Sequence, residues 1–215
     1  MKDFLLYARL ESRHMEVSRR WVSIDGLLGE LCELAALRLA GKDVRFVLEP
    51  VRTGTEIFTD GVKLRTILRN LITNAAKFTN RGIITLRVAV SGHAIRFAIE
   101  DTGPGILPAE LEAIFEPFPP FDFTRARRSA GAGLGLALSR KLSRVLGGDV
   151  TVISRADAGS TFTLVLPATD ADGNADLQSE AAEEQPPRRH ALEGVSRPGD
   201  LACAASSPVT LARAG

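Results

Sequence analysis

Apolar residues recur three and four positions apart through one long stretch of the chain. Leu64, Ile67, Leu68, Leu71, Ile72 and Ala75 form a stripe that predicts an amphipathic helix from about Asp60 to Phe78. Leu27, Leu28, Leu31, Leu34, Ala35 and Leu39 predict a second helix, with Gly41 as its stop signal. A third, "LGLALSRKLSRVLGG", is closed by glycines. Near the N-terminus Phe4, Leu6, Tyr7 and Leu10 suggest a short amphipathic helix. One or two turns alone would not be stable, so it reads as the end of a longer element.

Elsewhere the period is two. "IITLRVAV" and "AIRFAIED" alternate around "SGH" and predict a hairpin. "DVTVIS" and "STFTLVLP" are two further strands around "RADAG", and "RRWVSI" is a short one. "VRFVLE" and "EIFT" read as strands with "PVRTG" as the turn between them. "PAELEAIF" reads as a short helix with Pro108 near its first position. Strands and helices in this irregular order, with at least two hairpins, predict an α+β two-layer sandwich. Its sheet is mixed, mostly antiparallel, and covered on one face by helices.

Composition sets the outer bounds. Beyond Pro167 the chain is rich in Ala, Asp, Glu, Ser and Pro and shows no sustained period. Such a segment cannot bury enough apolar surface to offset its ordering entropy, so residues 168–215 read as a disordered tail. Residues 15–167 are then the ordered domain, and residues 1–14 the end of a helix or a linker. The formal charge of the 215 residues is +1, which favours neither nucleic acid nor an anionic membrane as partner. Cys32 and Cys203 have no metal-type spacing and fit a reducing compartment. No apolar run is long enough to span a bilayer. The expected location is cytoplasmic, as a soluble protein or as the cytoplasmic part of a membrane sensor.

Three segments carry candidate chemistry. In "AIEDTGPGI", Ile95, Phe97 and Ile99 share one strand face, and Asp101 falls on that apolar phase. An inward carboxylate is costly unless hydrogen-bonded. A ligand with an exocyclic amine would satisfy it, and Gly103 and Gly105 would let the backbone approach a flat group. The same residues also fit a plain Asp-Thr-Gly turn in which Asp101 caps its own backbone. On the long helix, Asn70, Asn74 and Lys77 share a face beside the apolar stripe. Amide oxygens can ligate a hard cation such as Mg²⁺, and lysine can meet a phosphate. The same three residues fit a solvated helix flank equally well. In "GAGLGL", Gly131 to Leu136, glycines open a helix and expose N–H groups where an anion is favoured. Just upstream Arg125, Arg127 and Arg128 lie in an aperiodic stretch of about 15 residues, the length of a functional lid or a disordered loop. Close glycine packing in a tight loop is the other reading. "GSTF", before the last strand, says by itself only that a turn precedes a strand.

In this order and at these separations, the segments resemble the ATP-binding catalytic domain of bacterial sensor histidine kinases. The wider family includes gyrase B, the Hsp90 chaperones and MutL. "LRNLITNAAKFT" resembles the family's asparagine box and "DTGPGI" its first glycine box. "IFEPF" resembles the phenylalanine box, "GAGLGL" the second glycine box and "GSTF" the last. The resemblance implies a Bergerat-type ATP-binding fold with ATP and Mg²⁺ as ligands. It implies that Asp101 accepts from the adenine amine, directly and through water, beside a wall shaped by Gly103, Gly105 and Ile106. Asn74 would ligate Mg²⁺ with Asn70 supporting it on the same face. Lys77 would approach the phosphates and Phe78 would cover the nucleotide. Gly131, Gly133 and Gly135, with Leu134 and Leu136 in the same box, would hinge a lid and offer N–H groups. Arg125, Arg127 and Arg128 would supply the lid's charge. Thr161 resembles the hydroxyl residue near the adenine-binding Asp.

ATP hydrolases of the family carry a glutamate where this chain has Asn70, and that glutamate takes the proton of the attacking water. An amide cannot act as that base. Asn70 therefore fits an enzyme that keeps ATP intact until an imidazole attacks the γ-phosphorus. In such kinases the acceptor histidine is followed by an acidic residue and, a few positions on, a proline. His14, His93 and His190 lack that pattern. "FLLYARLESRHMEV" resembles the last turns of the second hairpin helix of a dimerisation domain. The resemblance thus implies a histidine protein kinase catalytic half. Its acceptor histidine would lie on a dimerisation domain outside this chain, with a response regulator further downstream. The alternative is a nucleotide-binding regulatory module without phosphotransfer. An anti-sigma serine kinase of the same fold ranks lower, since those relatives usually carry the glutamate.

Overall fold

The computed structural model describes residues 16–91, 93–117 and 133–168. In chain order the elements are β1 (Arg20–Ser23), α1 (Ile24–Leu39), β2 (Asp43–Leu48), β3 (Glu56–Thr59), α2 (Gly61–Phe78), β4 (Arg81–Ser91) and β5 (Ala94–Asp101). Two 3-10 turns (Pro108–Glu110 and Ala113–Phe115), α3 (Gly135–Val145), β6 (Asp149–Ser154) and β7 (Ser160–Pro167) follow. The N-terminal helix and the tail expected from sequence lie outside the described residues.

The helix ends follow from local chemistry. The Ser23 hydroxyl accepts from the Gly26 N–H at the start of α1. Asp60 caps α2, its Oδ1 accepting from the N–H groups of Val62 and Lys63, each at 3.1 Å. At the other end Lys42 Nζ donates to the carbonyls of Ala76 and Thr79, satisfying acceptors that a helix C-terminus leaves open.

Five strands form one sheet in the order β2-β4-β5-β7-β6. Only the β2–β4 pair is parallel. β1 and β3 form a separate antiparallel ribbon. One face of the large sheet presents Ile84, Leu86, Ile95, Phe97, Ile99, Val150, Phe162, Leu164 and Leu166, all buried. Against it pack the stripes of the helices: Leu27, Leu28 and Leu31 of α1, Leu64, Ile67, Leu68, Leu71 and Ile72 of α2, Leu138 and Leu142 of α3. Truncating a fully buried member such as Leu68 to Ala would cost about 2–5 kcal/mol. On the opposite face Arg87 bridges Glu49 and Glu100. The architecture is the two-layer α+β sandwich that the patterning predicts.

Two expectations fail in detail. "PVRTG" does not close a hairpin: β2 continues along β4, with the Glu49 N–H reaching the Leu86 carbonyl, before the chain crosses to pair β3 with β1. Val44, Phe46 and Leu48 pack against the core, so β2 is fixed by the helices and not by its neighbour in sequence. "PAELEAIF" forms two 3-10 turns in place of an α-helix. It buries only Ile114, too little to hold a longer helical run.

Candidate functional site

The polar groups on the helix-facing side of the sheet gather where β5 ends. Asp101 is its last residue and only 5% exposed. Its register partners are Ile84 and Ser160, both on the buried face. Oδ1 accepts from the Gly103 N–H at 2.9 Å, so the turn-capping reading holds. That bond does not exhaust a carboxylate, which has room for about four. Burial pushes the carboxyl above the ordinary range, the N–H groups of Gly103 and Ser160 pull it back, and Glu100 adds to the upward push. Among the described residues no cation is bonded to it.

Gly103 is where these oxygens converge. A Cβ there would stand 2.7 Å from Asp101 Oδ1, 3.3 Å from Thr79 Oγ1 and 3.4 Å from the Phe78 carbonyl. Thr79, just past the end of α2, is fully buried, and its hydroxyl has no hydrogen-bond partner. Gly105 plays a different part. With φ +66 it lies against the β6–β7 turn, where a Cβ would meet the Arg155 carbonyl at 2.0 Å. Bonds from the Ile106 N–H to Ser154 Oγ (2.8 Å) and from the Asp157 N–H to the Pro104 carbonyl (2.7 Å) fix the same contact. Gly159, with φ +88, packs equally tightly: a Cβ there would lie 1.9 Å from the Asp101 carbonyl. The two glycine segments thus clamp each other and hold the end of β5.

α2 contributes the second group. Asn70 is half-buried, and its Nδ2 donates to the Gly135 carbonyl and to Ser139 Oγ, both at 3.3 Å. It ties α2 to the first turn of α3. Asn74, one turn on, is half-buried, and no hydrogen bond among the described residues engages its amide. Lys77 Nζ lies 4.8 Å above the Phe78 ring and forms no ion pair among the described residues. Gly133 has φ +67, Leu134 is buried, and Leu136 packs against the core. α3 begins without a side-chain cap. Arg125, Arg127, Arg128 and Gly131 lie outside the described residues.

One expected site residue faces away from the helices. Thr161 pairs with Glu100 on the sheet face away from the helices, because neighbouring strand residues alternate. Ser160 stands opposite Asp101 instead, 7% exposed, its hydroxyl 3.0 Å from that of Ser154. A cavity of about 190 Å³ opens at the end of β5 and the β6–β7 turn, lined by Asp101, Ser154 and Ser160 as well as by Glu100, Ile153 and Thr161. Thr79 and Ser160 are the polar residues that the sequence reading missed. The signal for Ser160 was present, since it shares the phase of Phe162, Leu164 and Leu166. Thr79 closes the quoted asparagine-box stretch, but no periodicity marks it as buried.

The chain is similar to known proteins in sequence and in fold. A family model described as histidine kinase-, DNA gyrase B-, and HSP90-like ATPase matches residues 59–170, just over half of the chain. The aerobic respiration control sensor protein ArcB of Escherichia coli (strain K12) is 40% identical over 169 residues, which are 77% of this chain and 22% of that protein. The crystal structure of full-length ShkA in complex with AMPPNP is similar with a TM-score of 0.65 at 37% identity, covering 77% of this chain and 34% of that one. The nucleotide-free catalytic domain of histidine kinase ThkA gives a TM-score of 0.61 at 25% identity, covering 73% of this chain and all (100%) of that domain. The chain therefore spans about a fifth of ArcB's length.

Proposed function

Because the chain belongs to the histidine kinase-, DNA gyrase B-, and HSP90-like ATPase family, we propose that it is the ATP-binding catalytic part of a two-component sensor histidine kinase. It would transfer the γ-phosphate of ATP to a histidine on a dimerisation domain. The observation that carries this reading is the buried Asp101 carboxylate. It has spare acceptor capacity and no cation beside it among the described residues, at the mouth of a turn whose Gly103 leaves no room for a side chain.

In this reading Asp101 takes the amine of the base, and Gly103 and the first glycine segment form the wall beside it. Lys77 meets the phosphates, held near them by its contact with Phe78. Asn74 offers an unengaged amide oxygen. Among the described residues no cluster of three His, Cys, Asp or Glu could hold a metal by itself. A single amide oxygen suits Mg²⁺, which completes its shell with phosphate oxygens and water and supplies charge neutralisation when bound. Asn70 is no base. Its two donated bonds set the first turn of α3, so that the uncapped N–H groups there stand ready for phosphate oxygens. The lid arginines Arg125, Arg127 and Arg128 would add positive charge. The acceptor imidazole nitrogen would attack the γ-phosphorus as the bond to the β,γ-bridging oxygen breaks and ADP leaves.

His93 is not that acceptor. It lies in the β4–β5 turn, at the far end of β5 from Asp101, roughly 25 Å away at a strand's ~3.3 Å rise per residue. Phosphotransfer is tested by mixing the chain with γ-labelled ATP, Mg²⁺ and a separate histidine-bearing dimerisation hairpin. Acid-labile label on the hairpin is the expected result. Tight ATP binding with no label would favour the regulatory module.

A further inference from the structure

α2 ends without the left-handed residue that closes many helices. Its C-cap, Thr79, is extended, with φ −89 and ψ 117. The end is held from elsewhere in the chain. Lys42, half-buried in the turn between α1 and β2, donates through Nζ to the carbonyls of Ala76 and Thr79, both buried residues. Lys42 is itself fixed: its N–H bonds the Leu39 carbonyl at 2.9 Å, where Gly41 (φ +76) turns the chain. A cation at a helix C-terminus also meets the negative end of the helix dipole.

The two carbonyls bracket two residues of the candidate site. Between Ala76 and Thr79 lie only Lys77 and Phe78, with the ammonium 4.8 Å from the centre of the ring. Both are half-buried and lie outside the apolar cluster that fixes the rest of α2, so their placement depends on the backbone of this last turn. We infer that Lys42 is a positioning residue for the phosphate end of the site: by holding the last turn of α2 it keeps Lys77 in reach of the phosphates, acting through Lys77 and not on the nucleotide. The inference rests on the nucleotide-site reading above. It adds to that reading a residue from the α1–β2 turn, outside all of its motifs.

Lys42→Met keeps the stem and removes the donors. If the last turn is then formed only a tenth to a half of the time, ATP affinity with Mg²⁺, measured by titration calorimetry, falls about two- to tenfold. Lys42→Arg, which keeps donors at that end, should recover most of the affinity. A double-mutant cycle separates positioning from a general weakening of the fold. In a Lys77→Met background, Lys42→Met should cost less than about twofold further, because the group it positions is gone. Adenosine, which has no phosphate, should bind wild type and Lys42→Met equally in an NMR titration. Equal ATP affinity in wild type and Lys42→Met would overturn the inference. So would losses that multiply in the double variant, or an equal loss for adenosine. Should Lys42→Met not fold, Lys42→Gln, which keeps one amide donor group, should show a smaller loss with the same cycle, and the same results would overturn the inference. Wild-type protein that binds no ATP at all would instead overturn the nucleotide site itself, and this residue's role with it.

Discussion

Two aspartates of this domain are buried alike and behave oppositely. Asp60 is 4% exposed and Asp101 is 5% exposed. For Asp60 burial would raise the carboxyl. It is outweighed by the Lys63 ammonium, by the Lys63 N–H and by the Ser18 N–H, and the group sits below the ordinary range. For Asp101 burial wins, because only the Gly103 and Ser160 N–H groups oppose it. A carboxylate that serves the fold is surrounded by donors. One left short of donors keeps acceptor capacity to spare. Asp60 joins the incoming strand to the start of α2, with Lys63 also holding the Glu16 carbonyl. The Asp101 side chain meets only the N–H groups of Gly103 and Ser160 and no cation among the described residues.

The contrast can be broken at its structural end first. Asp60→Ala removes a helix cap and leaves the nearly buried Lys63 without its partner. It should cost about 2–4 kcal/mol in a denaturant melt. Gly159→Ala puts a Cβ against the Asp101 carbonyl in a backbone region that favours glycine. A loss of about 1–3 kcal/mol, with ATP affinity falling alongside, would show that the last glycine segment fixes the end of β5. Unchanged stability would mean that the turn relaxes freely.

A subtler test uses pH. Asp60 has a lowered folded pKa, so its contribution is present above the ordinary value of 3.8 and is lost as pH falls through the folded pKa. Asp101 has a raised one, so the unfolded chain gives up that proton more easily, and free-protein stability falls as pH rises from about 3.8 through the folded value. Wild type should therefore melt above Asp60→Asn at neutral pH, with the gap closing in acid. Asp101→Asn, without nucleotide, should match or exceed wild type at neutral pH, and its advantage should vanish below about pH 4. Parallel pH profiles for the two variants would erase the distinction between them.

Much of the fold was legible in the chain. The stripe from Leu64 to Ala75 and the alternation through "AIRFAIED" each report a single buried face, which periodicity records directly. The partners of β2 were not legible, because the pairing of Val44, Phe46 and Leu48 with β4 depends on helices distant in sequence. For the site, the inward phase of Asp101 could be read from its neighbours. Thr161 follows from the motif resemblance, whereas strand phase points to Ser160, and a one-residue shift moves a side chain to the other face. Thr79 closes a helix, where neither period applies. Its unmet hydroxyl shows only once Gly103 is folded against it.

Whether Asp101 is reserved for a nucleotide base is decided by calorimetric titration of ATP with Mg²⁺ into wild type and Asp101→Asn. Measurable wild-type binding is expected, with a loss of tenfold to over a hundredfold in the variant, the worth of about 1.5–3 kcal/mol for a hydrogen bond to a charged group, and no loss of free-protein stability. Equal affinity in the two proteins would contradict that role.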